Sequence, residues 1–226
     1  MKIIHTADLH LGYRQYGFPK REQDFYGALG HVVYRAVDLK ADVVLFAGDC
    51  FDAPKPPAYA VRVLSHFVTL LQKQNITVVG IDGNHDNTNN NWLHVCGILP
   101  LGQQPYEKDG IRIAGIPATR PSVFHKKVDE LIASNEKIDV LAIHQALGEF
   151  ADFEANAITA MDLAPKLTKL GVRYVAMGDI HDYKETVVGG IRFVYSGSTE
   201  MNALDEDRNK TFSVVDITPT EIKTAY

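Results

Sequence analysis

Apolar positions along this chain fall into two alternating periods. Ile3-Ile4 opens a short strand, and residues 22 to 39 then place Phe25, Ala28, Leu29, Val32, Val33, Ala36 and Val37 at helical spacing. "DVVLFAG" (42 to 48) is a continuous apolar run ending in glycine, the mark of a strand covered on both faces. After the proline-rich turn "APKPP", a helix over 58 to 73 carries Val61, Leu64, Phe67, Val68 and Leu71 on one side. "ITVVGI" (76 to 81), "IRIAGI" (111 to 116), "IDVLAIH" (138 to 144) and "RYVAMG" (173 to 178) read as further strands. Helices are expected at about 122 to 134 and 159 to 169. "TVVGGIRFVYSG" and "TFSVVDI" read as C-terminal strands joined by short turns, and "DNTNNN" (86 to 91) as a polar loop. The alternation predicts an α/β sheet protein with a β-rich C-terminal end.

Composition narrows this picture only a little. The 226 residues, 46% apolar and 23% charged, suit a globular protein with a substantial core. No linker or internal repeat breaks the chain, so one domain over residues 1–226 is expected. A net charge of -5 excludes a globally basic surface, so a nucleic-acid partner would need a local patch or bound cations. Cys50 and Cys96 make neither a disulfide framework nor a CxxC pair, which suits a reducing compartment. "MKIIHTADLHLG" gains His and Asp too early for a signal peptide, and no apolar run approaches membrane length. The expected location is cytoplasmic, with no membrane partner.

The polar residues at the strand ends change the picture most. Strand one runs into Asp8 and His10, and the next strand into Asp49 directly after Gly48. "GNHD" then supplies Asn84, His85 and Asp86, the strand over 138 to 144 ends in His144, and "GDIH" supplies Asp179 and His181. An acid and an imidazole two residues apart point the same way on extended backbone. Alone, an Asp after a strand is more often a cap or turn residue, a lone histidine more often a hydrogen-bonded core or surface residue, and "GNHD" reads as readily as a polar turn. Five such fragments, each at the carboxyl end of a strand where α/β sheets build sites, do not read that way.

The residue types suit a pair of divalent cations, which can clamp a phosphate and its attacking water. A bridging carboxylate holds such cations together, while imidazoles and an amide oxygen complete the shells without excess charge. Oxygen donors mixed with borderline nitrogen donors favour manganese, iron or zinc over calcium. Cys50, adjacent to Asp49, should point to the opposite face and serve as a small core residue.

The order "DLH … GDxFD … GNHD … H … GDIH" resembles the calcineurin-like metallophosphoesterases. "HTADLHLG", "AGDCFDAPKPP" and "YSGSTEMN" resemble the SbcD-type DNA repair nucleases within them. The resemblance, over about residues 1 to 217, implies a four-layer sandwich: two facing mixed β-sheets flanked by helices. It implies one metal held by Asp8, His10, Asp49 and His181, and another held by Asp49, Asn84, His144 and Asp179, with Asp49 bridging. His85 matches the family residue that stabilises or protonates the leaving group, so His85 and Asp49 are the expected catalytic residues. Manganese is the expected cofactor, with magnesium, iron or zinc as alternatives.

The implied partners are DNA, a Rad50/SbcC-type ATPase subunit and a second copy of the chain. This chain departs from the family at Asp179, where a histidine is usual. Asp52 matches bacterial members, whereas archaeal and eukaryotic ones carry histidine there. No capping or ATPase-binding domain is evident in the sequence. The leading expectation is a metal-dependent DNA nuclease of repair or recombination. A phosphodiesterase or phosphatase acting on small nucleotides, or a non-catalytic DNA-end-binding scaffold, are the alternatives. Arg14, Lys20, Arg21, Lys55, Arg62, Arg120, Lys126 and Lys127 fall in or near loops that could flank the site.

Overall fold

The computed structural model describes residues 1–86, 90–150, 158–206 and 209–226, so residues 87–89 of the expected polar loop lie outside the described residues. Among the described residues, twelve strands form two six-stranded sheets. The first sheet contains β1 (Lys2–Thr6), β2 (Val43–Ala47), β3 (Thr77–Ile81), β4 (Leu99–Pro100), β11 (Ser213–Ile217) and β12 (Ile222–Ala225), in the order β12-β11-β1-β2-β3-β4. The second contains β5 (Tyr106–Lys108), β6 (Ile111–Ile116), β7 (Val140–His144), β8 (Tyr174–Gly178), β9 (Lys184–Val188) and β10 (Ile191–Tyr195), in the order β5-β6-β7-β8-β10-β9. Both sheets are mixed: β1-β2-β3-β4 and β6-β7-β8-β10 run parallel, and the remaining pairs antiparallel.

Strand alternation divides the core into three layers. On β1, Ile3 turns toward the other sheet, joining Val43, Leu45, Val79, Val140, Ala142 and Ala176. Ile4 turns outward, with Val44 and Phe46, against α1 (Pro19–Asp38) and α2 (Ala58–Lys73). On the far side, Leu141, Ile143, Val175 and Met177 pack beneath α4 (Pro121–Ala133) and α5 (Ala160–Leu170). The result is the expected four-layer sandwich. Central strands buried on both faces need apolar residues at every position, which is why β2, β7 and β8 read as unbroken runs.

The short helix α3 (Trp92–Val95), β4, β5 and β12 escape the sequence pattern. Each has four residues or fewer, so neither period can be read from it. Cys50 is fully buried in the layer under α1 and α2, as its position beside Asp49 suggested.

Candidate metal centre

The loops following β1 and β2 continue the strand pairing beyond both strands. Asp8 N donates to Gly48 O (3.1 Å), His10 N to Asp49 O (3.1 Å) and Leu11 N to Cys50 O (3.0 Å). This ladder sets the relative height of Asp8, His10 and Asp49. The backbone there is not extended, however, which corrects the reasoning from strand periodicity. Asp8 (φ 53°), His10 (φ 42°), Asp49 (φ 49°) and Asp179 (φ 96°) all occupy the left-handed region. Such a conformation costs a non-glycine residue about 1–3 kcal/mol and persists only where surrounding contacts over-determine it. Asp and His come together by this kinked path, with Leu9 between them buried in the core.

The second sheet closes on the first at the same end. A Cβ on Gly178 would sit 2.3 Å from Ala47 O, and one on Gly48 would sit 2.1 Å from His144 Nδ1. Only bare backbone allows β2, β7 and β8 to approach this closely. His144 Nδ1 lies 2.8 Å from Ala47 O, so that nitrogen donates its proton and Nε2 of the neutral ring keeps a lone pair.

The candidate residues converge on Asp49. His144 Nε2 lies 3.3 Å from Asp49 Oδ2, 2.9 Å from Asn84 Oδ1 and 3.9 Å from Asp179 Oδ1. His10 Nε2 lies 4.0 Å from the same Asp49 oxygen and 3.3 Å from His181 Nε2. Asp49 Oδ1 accepts from His85 N (2.8 Å), and both Asp8 oxygens face Asp179 N at 3.2 Å. Two sets of potential ligand atoms share Asp8: Asp8, His10 and His181, and Asp8, Asp49 and His144, each within 4.8 Å of one another. The five strand ends thus bring all seven expected ligands into one cluster around Asp49.

The donor set fits divalent cations. Around His144 Nε2 stand a carboxylate and an amide oxygen, so with the ring neutral all are acceptors, and the set calls for a proton or a metal cation between them. The same demand appears in the proton affinities. Burial opposes charge on His144, but its hydrogen bond to Asp49 and the charges of Asp8, Asp49 and Asp179 push it up to about 10. His10 is likewise raised against its burial, by Asp52, Asp8 and Asp49. Burial lifts Asp8 above the usual carboxylate range, opposed by the charges of His144, His181 and His10. Asp49 moves down despite its burial, held by His144 and His10.

His85 stands at the exposed margin, its ring edge-to-face with His10 at 4.9 Å. Its Nδ1 lies 2.9 Å from the Asp52 carbonyl, while Asp52 Oδ1 sits 3.3 Å from His10 Nδ1. Beside the cluster, an open cleft of about 830 Å³ is lined by Asn84, His144, Asp179, Thr119, Gln145 and the exposed Arg120.

Two neighbours carry roles that the sequence did not assign. Asp86, in "GNHD", accepts from Gly83 N (2.7 Å) and Phe51 N (3.1 Å), tying the loop after β3 to the loop after β2. Burial and the charge of Asp49 push its carboxyl up to about 6. Glu206 lies 2.8 Å from His181 Nδ1. No local pattern marks it, since it is an acid in a loop of mixed charge, 25 residues beyond its partner.

Comparison with known proteins agrees with this geometry. The family model for calcineurin-like phosphoesterases matches residues 1–183. The DNA double-strand break repair protein Mre11 of Methanosarcina mazei is 31% identical over 95% of this chain, a match spanning 36% of that protein. Its namesake in Thermoplasma acidophilum is 32% identical over 97% of this chain and 63% of the relative. The chain thus spans between about a third and just under two thirds of the length of these relatives. Among solved structures, the protein TT1561 of Thermus thermophilus superposes with a TM-score of 0.67 at 13% identity, covering 99% of this chain and 97% of that one. A dimetal phosphatase from Danio rerio superposes at 0.60 with 12% identity, covering 99% and 98%, and shares the fold.

Proposed function

This chain belongs to the calcineurin-like phosphoesterase family, and from that premise we propose that it is a hydrolase that cleaves phosphodiester bonds in DNA with two divalent cations. The observation that carries this reading is the convergence of five strand ends on Asp49, with the imidazoles of His10 and His144 both approaching its Oδ2. One cation would be held by Asp8, His10, Asp49 and His181, the other by Asp49, Asn84, His144 and Asp179. Manganese suits this mixture of oxygen and nitrogen donors. When bound, the cations supply Lewis acidity toward the phosphate oxygens and the attacking water.

The protein's own groups do the rest. Asp49 is pinned by the His85 backbone N–H, which holds its carboxylate in the orientation in which it would bridge the cations. The Ala47 carbonyl fixes the His144 tautomer, keeping Nε2 free to ligate. With Nδ1–H donated to the Asp52 carbonyl, only the imidazolium form of His85 carries a second N–H, at Nε2. It is this form that would meet the leaving oxygen, give up the Nε2 proton and return to the neutral ring. Arg120 has no ion pair among the described residues and lines the cleft beside Asn84, His144 and Asp179, where a strand phosphate would lie. DNA as substrate, rather than small diesters, is supported by the repair proteins among the relatives. The same relatives support action in a DNA repair setting.

The test is hydrolysis of linear single- and double-stranded DNA with manganese, magnesium or chelator, beside a cyclic dinucleotide and an aryl phosphodiester. Cation-dependent DNA cleavage that Asp49→Ala abolishes, with the fold intact, is the expected result. Turnover of the small diesters alone would move the substrate to small nucleotides. Full activity of Asp49→Ala at matched manganese would sink the two-cation assignment.

A further inference from the structure

We propose that Glu206 and Lys210 form a positioning pair that aims His181 at its cation, a role that rests on the two-cation reading above. His181 lies in the loop after β8 and is only partly buried, so packing alone does not fix its ring. Glu206 Oε1 takes the Nδ1 proton at 2.8 Å. That bond selects the tautomer whose Nε2 keeps its lone pair, and this is the nitrogen facing His10 Nε2 at 3.3 Å.

The second Glu206 oxygen accepts from Lys210 Nζ and from Asn202 N (3.0 Å). Lys210 Nζ also donates to Ser198 Oγ (3.0 Å) and to the carbonyl of His181 itself (3.4 Å). The pair therefore holds both the ring and the main chain of one residue. An ordinary exposed i,i+4 ion pair would do neither, and here the two side chains are only 15% and 13% exposed.

Charge explains why two residues serve better than one. A carboxylate behind a ligating imidazole raises its basicity and sets its orientation. A lone carboxylate would add a further negative charge beside Asp8, Asp49 and Asp179. Lys210 cancels that charge, so the pair contributes direction without net charge. His144 is oriented differently, by the backbone carbonyl of Ala47 at the end of β2, which no side-chain substitution removes. The two halves of the centre are thus held by different devices, the His181 half by Ser198, Asn202, Glu206 and Lys210.

Calorimetric titration of manganese into the full chain tests this, using wild type, Glu206→Ala, Glu206→Gln and Lys210→Met, with thermal melting of each chelated protein. Glu206→Ala is expected to weaken one of the two cations about 10–100-fold and leave the other unchanged. Glu206→Gln, whose amide oxygen can still accept from Nδ1, should recover part of the loss. Lys210→Met should weaken the same cation by less. Unchanged affinity for both cations in Glu206→Ala would overturn the proposal. So would equal weakening of both together with a lowered melting temperature in chelator, which makes Glu206 a residue of the fold. Fewer than two cations on wild type would overturn the centre itself, and this inference with it, whatever the variants do.

Discussion

Asp179 concentrates the chemistry that distinguishes this centre. Its left-handed φ of 96° turns the chain back, so that its amide meets Asp8 while its side chain faces His144. Under the proposed assignment, Asp179 would join Asp8 and Asp49 as a third carboxylate facing two divalent ions, where the resemblance implies a shell with two. The added charge should favour harder cations, manganese or magnesium over zinc. Asp179→Ala is expected to weaken the cation of Asn84 and His144 most, and Asp179→His to keep activity while shifting preference toward softer metals. Metal titration beside activity decides this; two cations bound as tightly in Asp179→Ala as in wild type would leave Asp179 a turn residue. His85 calls for a different pattern. His85→Gln should slow hydrolysis about 10²–10⁴-fold, as loss of a general acid does, with metal content nearly unchanged. A fall in metal content as large as that of Asp49→Ala would make His85 a ligand instead.

Strands and helices set what these residues can reach. β1 alternates Ile3 and His5 toward the second sheet, and His5 bridges to β8 through Tyr174 Oη (2.9 Å) and the Met177 carbonyl (3.2 Å). Burial pulls its pKa down from 6.5 to about 3, with the Met177 carbonyl acting the other way. The folded chain therefore keeps His5 neutral where the unfolded chain takes up a proton. Its contribution is fully present above pH 6.5 and is lost as pH falls from 6.5 toward 3. The slope is at most about 1.4 kcal/mol per pH unit, one proton's worth. Urea unfolding in chelator across that window should show a shallower pH dependence for His5→Gln than for wild type. Identical slopes would mean that His5 protonates in the fold. The long elements were the most legible in the sequence: the helix over 58 to 73 and the strand over 111 to 116 coincide with α2 and β6. Their apolar periodicity is a direct imprint of a covered face. β12 was not legible, because four half-exposed edge residues carry no such imprint.

Across the protein as a unit, the balance of charge at the sheet ends decides stability. Asp8, Asp49 and Asp86 are all buried, with the charge of Asp49 acting on the other two, and divalent cations binding only the folded state would stabilise it by mass action. At about 100 times Kd each site adds about 2.7 kcal/mol. Two sites together should raise Tm by roughly 10 °C or more for a chain of this size. Chelator should reverse the shift, and Asp49→Ala should show little of it. A melting temperature indifferent to manganese in wild type would contradict a buried two-cation centre. The net charge of -5 has its own consequence for the proposed function: attraction to a DNA backbone would have to come from bound cations and from local groups such as Arg120.

The α/β class, the positions of the long elements and the identity of the side chains able to ligate were all written in the order of residues. Those are local matters, carried by apolar period and by residue type at the strand ends. How those side chains meet was settled by packing in three dimensions. Asp8 and His10 approach through left-handed backbone sustained by hydrogen bonds to a neighbouring loop, and no period along one strand encodes that. Glu206 reaches His181, and Asp86 ties two loops, across separations of 25 and 35 residues. A carboxylate's role in such a place depends on which N–H the fold delivers to it. That choice is made by the packing of two sheets, with Gly48 and Gly178 letting their ends close around Asp49.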